Sequence, residues 1–210
     1  MNELVTCRDV ARTYGRGVGA VVAVHGVTCA LGAGDQVAIT GPSGSGKTTL
    51  LHLLARLDSP TSGTITWPGL DGRIGVVFQG PSLVPSLDVV ENVALPLVIA
   101  GLREPEARQQ ALIALATIDL ADLAESLPEE LSGGQAQRVA VARVLASSPR
   151  LIIADEPTAQ LDSAMAIRVI DLLVGVATRL NAALAIATHD PEVAARLPEN
   201  WTMRDGALAC

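Results

Sequence analysis

Aromatic side chains make up only 2% of this 210-residue sequence. A core must therefore be assembled from Val, Leu, Ile and Ala, and hydrophobic residues supply 49% of the chain. That stock suits a buried parallel sheet flanked by helices, and the length allows one sizeable core, or one core plus a small subdomain. Long apolar runs are missing too. None reaches the roughly 18 residues that a membrane span needs, and the richest, VVENVALPLVIAGL, is broken by Glu91, Asn92 and Pro96. The opening MNELVTCRDV has no basic segment followed by an apolar stretch, so no signal peptide is expected and the chain is predicted to stay in the cytoplasm. Positive charge is scarce: the net charge is −7 and the pI about 4.9, which weighs against a generic nucleic-acid binder. Cys7, Cys29 and Cys210 have neither paired spacing nor a histidine pattern for zinc, and read as small buried or incidental thiols.

What is present alternates. Residues 1–40 read as strands and turns. VAIT (37–40) is an apolar strand ending in a glycine loop, and KTTLLHLLARL after it has helical spacing at Leu50, Leu53, Leu54 and Leu57. RIGVVFQ is a buried strand ending at Gln79, followed by a Pro-punctuated stretch and then a helical segment, REPEARQQALIALATIDLADL. SLPEELSGGQ turns into the helix AQRVAVARVLASS; LIIAD, a helix from Ser163 and AALAIATHD follow, and Asp205-Gly206 signals a closing hairpin. Buried strands alternating with helices predict an α/β fold with a mainly parallel sheet. The span 1–210 reads as one domain, with residues about 80 to 145 as a helical subdomain inserted into it.

GPSGSGKT, Gly41 to Thr48, fits G-x-x-x-x-G-K-[ST] and sits between a predicted strand and a predicted helix. Glycines let backbone N–H groups wrap phosphate oxygens, and the helix N-terminus adds partial positive charge. The spacing assigns Lys47 to the β- and γ-phosphates and the Thr48 hydroxyl to Mg²⁺. Magnesium needs a carboxylate, and LIIADE places Asp155 and Glu156 at the C-terminal end of a buried strand, where open α/β sheets bind ligands. Asp155 is the expected metal-side residue, and Glu156 the expected base activating water for in-line attack.

A second glycine-bearing helix start, LSGGQ, lies at 131–135. Ser132 is a good N-cap, and Gly133-Gly134 are expected to let a phosphate approach the first turn. Two cradles serving one ATP within one chain would be redundant; two copies meeting head to tail would make each cradle complete the other's site.

The motif set GPSGSGKTT, VVFQ with Gln79, LSGGQ followed by AQRVAVAR, LIIADEPT, LD at 161–162 and ATHD with His189 resembles, in order and spacing, the nucleotide-binding subunit of an ATP-binding-cassette transporter. The resemblance implies a P-loop NTPase with a mainly parallel core sheet, a peripheral antiparallel β subdomain and the inserted helical subdomain. It implies ATP hydrolysis with Mg²⁺, a second cassette bound head to tail (a homodimer is expected), and an integral membrane permease on whose cytoplasmic side the subunit sits, with no nucleic acid. Gly41, Ser43, Gly44, Ser45, Gly46, Lys47, Thr48 and Thr49 would form the nucleotide loop. Tyr14 resembles the aromatic that stacks on adenine, and Gln79 the residue joining metal and attacking water to the membrane-facing subdomain. Ser132, Gly133, Gly134 and Gln135 resemble the signature that closes on the partner's γ-phosphate, Asp162 an inter-site link, and His189 the γ-phosphate switch. His25 and His52 match no motif, and Arg138 and Arg143 are expected on a solvated or ion-paired face.

The sequence departs from the family in two places. It is short between TSGTI and VVFQ, so the peripheral sheet is expected to be trimmed there, and Ala159-Gln160 stand where small residues or Gly-Asn are common. LLHLLARLDSPTSGTI, SLVPSLDVVENVALPL and ADEPTAQLD are similar to the subgroup serving lipoprotein release and macrolide export, with Leu83, Val84 and Leu87 as a candidate docking surface. A cell-division-type cassette ATPase that moves no solute, and a soluble non-transport cassette ATPase, are the alternative readings.

Overall fold

The structure is a computed structural model describing residues 3–70 and 73–209. Cys210 lies outside the described residues.

Two long strands, β1 (Glu3–Tyr14) and β2 (Val21–Gly32), pair antiparallel, and β4 (Ser62–Thr66) adds to the other side of β1, giving a three-stranded sheet in the order β2-β1-β4. The main sheet has six strands. Its parallel part is built from β5 (Ile74–Val77), β6 (Leu151–Asp155), β7 (Ala183–Ala187), β3 (Gln36–Thr40) and β8 (Glu199–Arg204), side by side in that order, and β9 (Ala207–Ala209) closes the edge antiparallel to β8. Asp205 and Gly206 both have positive φ, as a two-residue hairpin turn requires.

The central strands are buried on both faces, which is why they read as unbroken apolar runs instead of alternating ones. Along β6 and β7, Ile153, Ala185 and Ala187 face the antiparallel sheet and α1 (Lys47–Leu54), packing with Leu31, Leu51 and Leu54. Their neighbours Ile152, Leu184 and Ile186 face the opposite way, onto Val169, Ile170 and Leu173 of α5 (Ser163–Leu180). This two-residue alternation is the strand period at work.

Between β5 and β6 lie three helices, α2 (Val89–Ile99), α3 (Glu104–Thr117) and α4 (Gly133–Ala146). They enclose a core of their own, in which Val93 and Leu97 meet Ala111, Leu115 and Val139. Helix α2 is not expected from the apolar pattern. Pro96 looks like a break there, yet it sits inside the helix. A capping box compensates at the other end: Glu91 N–H donates to Asp88 and Asp88 N–H donates to Glu91. The D-x-x-E spacing is the sequence signal that marks this helix start. Leu83, Val84 and Leu87 are half-buried rather than a free apolar face. Leu83 packs on the helical core, and the buried Asn92 side chain binds the backbone of Val84 and Leu87. Cys7 and Cys29, far apart in sequence, are register partners across β1 and β2.

Candidate active site

Four parallel strands release their chains at the same end of the sheet. β5 leads to Phe78 and Gln79, β6 to Asp155 and Glu156, β7 to Thr188 and His189, and β3 to the glycine loop. Strands about 4.8 Å apart thus bring residues from four separate segments to one rim, the edge where open α/β sheets bind ligands.

The glycine loop is tightly built. A Cβ on Gly41 would lie 2.2 Å from the Met203 carbonyl oxygen, and one on Gly46 2.2 Å from that of Ala23. Gly46 is the N-cap of α1 with φ of 100° and no side-chain cap, so the first N–H groups of that helix keep no intramolecular side-chain acceptor. Lys47, the only lysine in the chain, is 6% exposed and donates to the carbonyls of Gly41 (2.9 Å) and Pro42 (3.1 Å). Its ammonium is folded over the loop that it follows. Ser45 is buried, with its hydroxyl unpartnered. Ser43, Gly44, Gly46, Lys47, Thr48 and Thr49 line one cavity together with Ala23 and Glu156.

Thr48 and Asp155 meet. Burial pushes the Asp155 carboxyl up, and the hydrogen bond from the Thr48 side chain pulls it back. The Asp155 Oδ1 atom is buried without a partner. An orphaned carboxylate oxygen beside a hydroxyl is a set of hard oxygen donors, and it fits a magnesium ion. Glu156 follows with φ of 43°, a left-handed conformation uncommon outside glycine. Its N–H bonds the Ala187 carbonyl, which ties the end of β6 to the end of β7. The exposed His189 places Nδ1 3.2 Å from Glu156 Oε2, so the expected base and the expected switch are adjacent. Backbone strain at that point is a common mark of a functional site.

The signature residues stand elsewhere. Ser132 caps α4 in a closed capping box: Gln135 N–H donates to its hydroxyl (3.3 Å) and the Gln135 side chain accepts from Ser132 N–H (2.8 Å). Among the described residues, no hydrogen bond joins 132–135 to the glycine loop. The two glycines differ. A Cβ on Gly133 would meet open space, whereas one on Gly134 would lie 2.7 Å from Met165 Cγ, so the lack of a side chain at Gly134 serves the packing of α4 on α5. Asp162 caps α5 by accepting from Met165 N–H. It thereby fixes the residue that Gly134 touches.

Helix α4 also holds the Gln79 loop. The buried Gln137 side chain donates to the Phe78 carbonyl, and Arg143 donates to the carbonyls of Pro81 and Ser82. Gln79 itself is exposed between these anchors. The expectation of a solvated or ion-paired Arg143 is therefore corrected. Burial pulls its guanidinium down from the usual arginine range, and backbone carbonyls accept its N–H hydrogen bonds. No local sequence signal marks Gln137 or Arg143, because the acceptors are main-chain atoms some sixty residues away.

Tyr14 lies at the end of β1, 39% exposed, with its hydroxyl donating to Asp58 (2.8 Å). It is outside the cavity lined by the glycine loop.

Relatives of this arrangement are known. The family described as ABC transporter matches residues 24–159. The lipoprotein-releasing system ATP-binding protein LolD of Legionella pneumophila (strain Paris) is 39% identical over 99% of this chain and 98% of its own. The dimeric post-hydrolysis structure of the ATP-binding cassette MJ0796, bound to ADP and Pi, superposes with a TM-score of 0.87 at 35% identity, covering 98% of this chain and 97% of that one. CbiO1 of Clostridium perfringens, part of the transporter complex CbiONQ, gives 0.87 at 30% identity over the whole of this chain and 88% of that one. A chain with this loop, this acidic strand end and these relatives belongs to the ABC transporter family, as an ATP-hydrolysing cassette.

Proposed function

We propose that this chain is the ATP-hydrolysing subunit of a lipoprotein-release-type ABC transporter, acting as a head-to-tail homodimer on the cytoplasmic face of the membrane beneath a separate integral membrane permease. One observation carries this reading. The glycine loop shares a cavity with Glu156, while the Ser132 cap belongs to α4 and reaches no part of that loop within its own chain. A site split in this way is completed by a second copy. The LolD relative supports the lipoprotein-release assignment, and the dimeric MJ0796 cassette supports pairing. Among the described residues no helix is long and apolar enough to cross a membrane, so membrane work requires a partner.

In this reading the loop from Gly41 to Thr49 binds the triphosphate of ATP through main-chain N–H groups and Lys47. Lys47 exchanges its two carbonyl acceptors for phosphate oxygens. The Thr48 hydroxyl, Asp155 and Gln79 would hold Mg²⁺, which would supply positive charge against the β- and γ-phosphates. Tyr14 supports the base. Glu156 takes a proton from the attacking water, and His189 holds the Glu156 carboxylate on one side while facing the γ-phosphate. The partner's α4 start brings the hydroxyl of its capping serine and the main-chain donors of its first turn to the same phosphate. Asp162 and Met165 hold that helix start in place within each protomer. The residue span 1–210 then forms one cassette, with about 80–145 as its helical subdomain and the half-buried Leu83–Leu87 loop at the permease.

The test has two arms. ATPase rate per subunit should rise steeply with subunit concentration, and purification from membranes in mild detergent should recover a membrane subunit with a large extracytoplasmic domain. Full turnover at dilutions where the protein is monomeric would refute the shared site. Recovery with ribosomes alone would refute the transporter assignment.

A further inference from the structure

At the end of β1 the structure shows a side-chain cluster that the catalytic rim does not use. Arg12 and Tyr14, two residues apart on one strand, both reach Asp58. Arg12 Nε bonds Asp58 Oδ2 at 2.8 Å and its NH2 group lies 2.8 Å from Oδ1, a bidentate pair. The same guanidinium sits over the Tyr14 ring, 4.6 Å from its centroid. A hydroxyl tether and a stacked cation together fix the plane of the ring. Burial alone would push the Asp58 carboxyl up, but the Tyr14 hydroxyl, the Ser59 N–H and Arg12 outweigh it and hold the group below its usual range, so it stays ionised at neutral pH.

The position of Asp58 gives this cluster its significance. Its N–H bonds the His52 carbonyl in the last turn of α1, and α1 begins at Lys47. One short helix therefore carries the phosphate cradle at its start and, through Asp58, the ring at its end. Eight residues at about 1.5 Å each make α1 roughly 12 Å long, a length of the same order as an extended nucleoside triphosphate. The strands agree with this placement. Tyr14 pairs with Val21, and Ala23 of the same strand lies against Gly46 of the cradle. Val21, the register partner of Tyr14, is 62% exposed and puts an apolar side chain beside the ring.

We propose that Asp58 and Arg12 are positioning residues for base recognition: they clamp the Tyr14 ring at a fixed distance from the phosphate cradle, with the guanidinium on one face and a purine on the other. The inference rests on Tyr14 being the base platform, as proposed above, and assigns the residues that orient it. Asp58 acts on the base through Tyr14 and has no part in holding the triphosphate.

Calorimetric titration of the full-length protein with Mg-ATP and with Mg-tripolyphosphate, which lacks the base, tests this. Asp58→Ala should weaken Mg-ATP about five- to tenfold, the worth of one ordinary hydrogen bond, and leave Mg-tripolyphosphate unchanged. In a Tyr14→Ala background, which itself weakens only Mg-ATP, Asp58→Ala should add nothing. Equal weakening of both ligands by Asp58→Ala would make Asp58 a support of α1 and overturn the clamp, as would additive effects of the two substitutions. Unchanged Mg-ATP affinity in Asp58→Ala, with Tyr14→Ala still weak, would overturn the clamp and leave the platform standing. Unchanged affinity in Tyr14→Ala would overturn both.

Discussion

The chain starts two helices from glycine-bearing turns and finishes them in opposite ways. At α1 the N-cap is Gly46, left-handed and without a side-chain cap; at α4 it is Ser132, closed by a reciprocal capping box with Gln135. A helix start with no side-chain cap leaves its donors for a ligand. A capped start is satisfied by its own chain and gains only what an additional acceptor brings. In the proposed function the first is the site that binds nucleotide in an isolated protomer, and the second acts only on a phosphate held by another molecule. The surrounding contacts follow the same division. The α1 start is pressed against the backbone of Ala23 and Met203, while Gly133 at the α4 start faces open space.

That contrast can be broken in graded ways. The largest effect belongs to the α1 side. Glu156→Gln should lower turnover by about 10²- to 10⁴-fold, the usual weight of a positioned base, while an ATP-bound dimer accumulates on size-exclusion chromatography. Near-normal turnover would remove Glu156 from that role. Next come two substitutions that should separate binding from hydrolysis. Lys47→Ala should weaken Mg-ATP binding to the monomer by about ten- to a hundredfold, through lost charge-assisted bonds. Ser132→Arg should abolish hydrolysis and leave monomer binding intact. Loss of monomer binding in Ser132→Arg would show the two starts to be parts of one cis site.

The smallest changes sharpen the difference between the caps. Gly46→Ala should cost about 1–3 kcal/mol or more in unfolding measurements, because a side chain is forced into a left-handed conformation and against the Ala23 carbonyl. Ser132→Ala should cost about 1 kcal/mol, the value of a cap. Equal losses for the two would mean that the α1 start is held by the same forces as the α4 start.

Much of this is legible in the order of the amino acids alone. Strands β3, β6 and β7 are buried on both faces, and their apolar runs say so. Gly41–Thr48 and Asp155-Glu156 fall at strand ends because the alternation of elements puts them there. What stays hidden depends on where the chain returns. Helix α2 is obscured by Pro96, whose cost is offset by tertiary burial of Val93 and Leu97 and by the Asp88 capping box. Arg143 looks like a surface charge because its acceptors, the carbonyls of Pro81 and Ser82, are main-chain atoms with no residue signature. The Cys7–Cys29 pairing depends on the β1/β2 register, and the bond from Tyr14 to Asp58 on the path from α1 to β4. Neither leaves a local pattern in the sequence.

Lys47 is the only lysine in the chain, and it has a consequence beyond catalysis. Every other side-chain cation at neutral pH is a guanidinium or an imidazole. An amine-selective acylating reagent therefore has one side-chain target, and that target lies inside the cradle. Labelling at this position, measured by mass spectrometry, therefore reports only on changes at the cradle, over which the buried ammonium is folded.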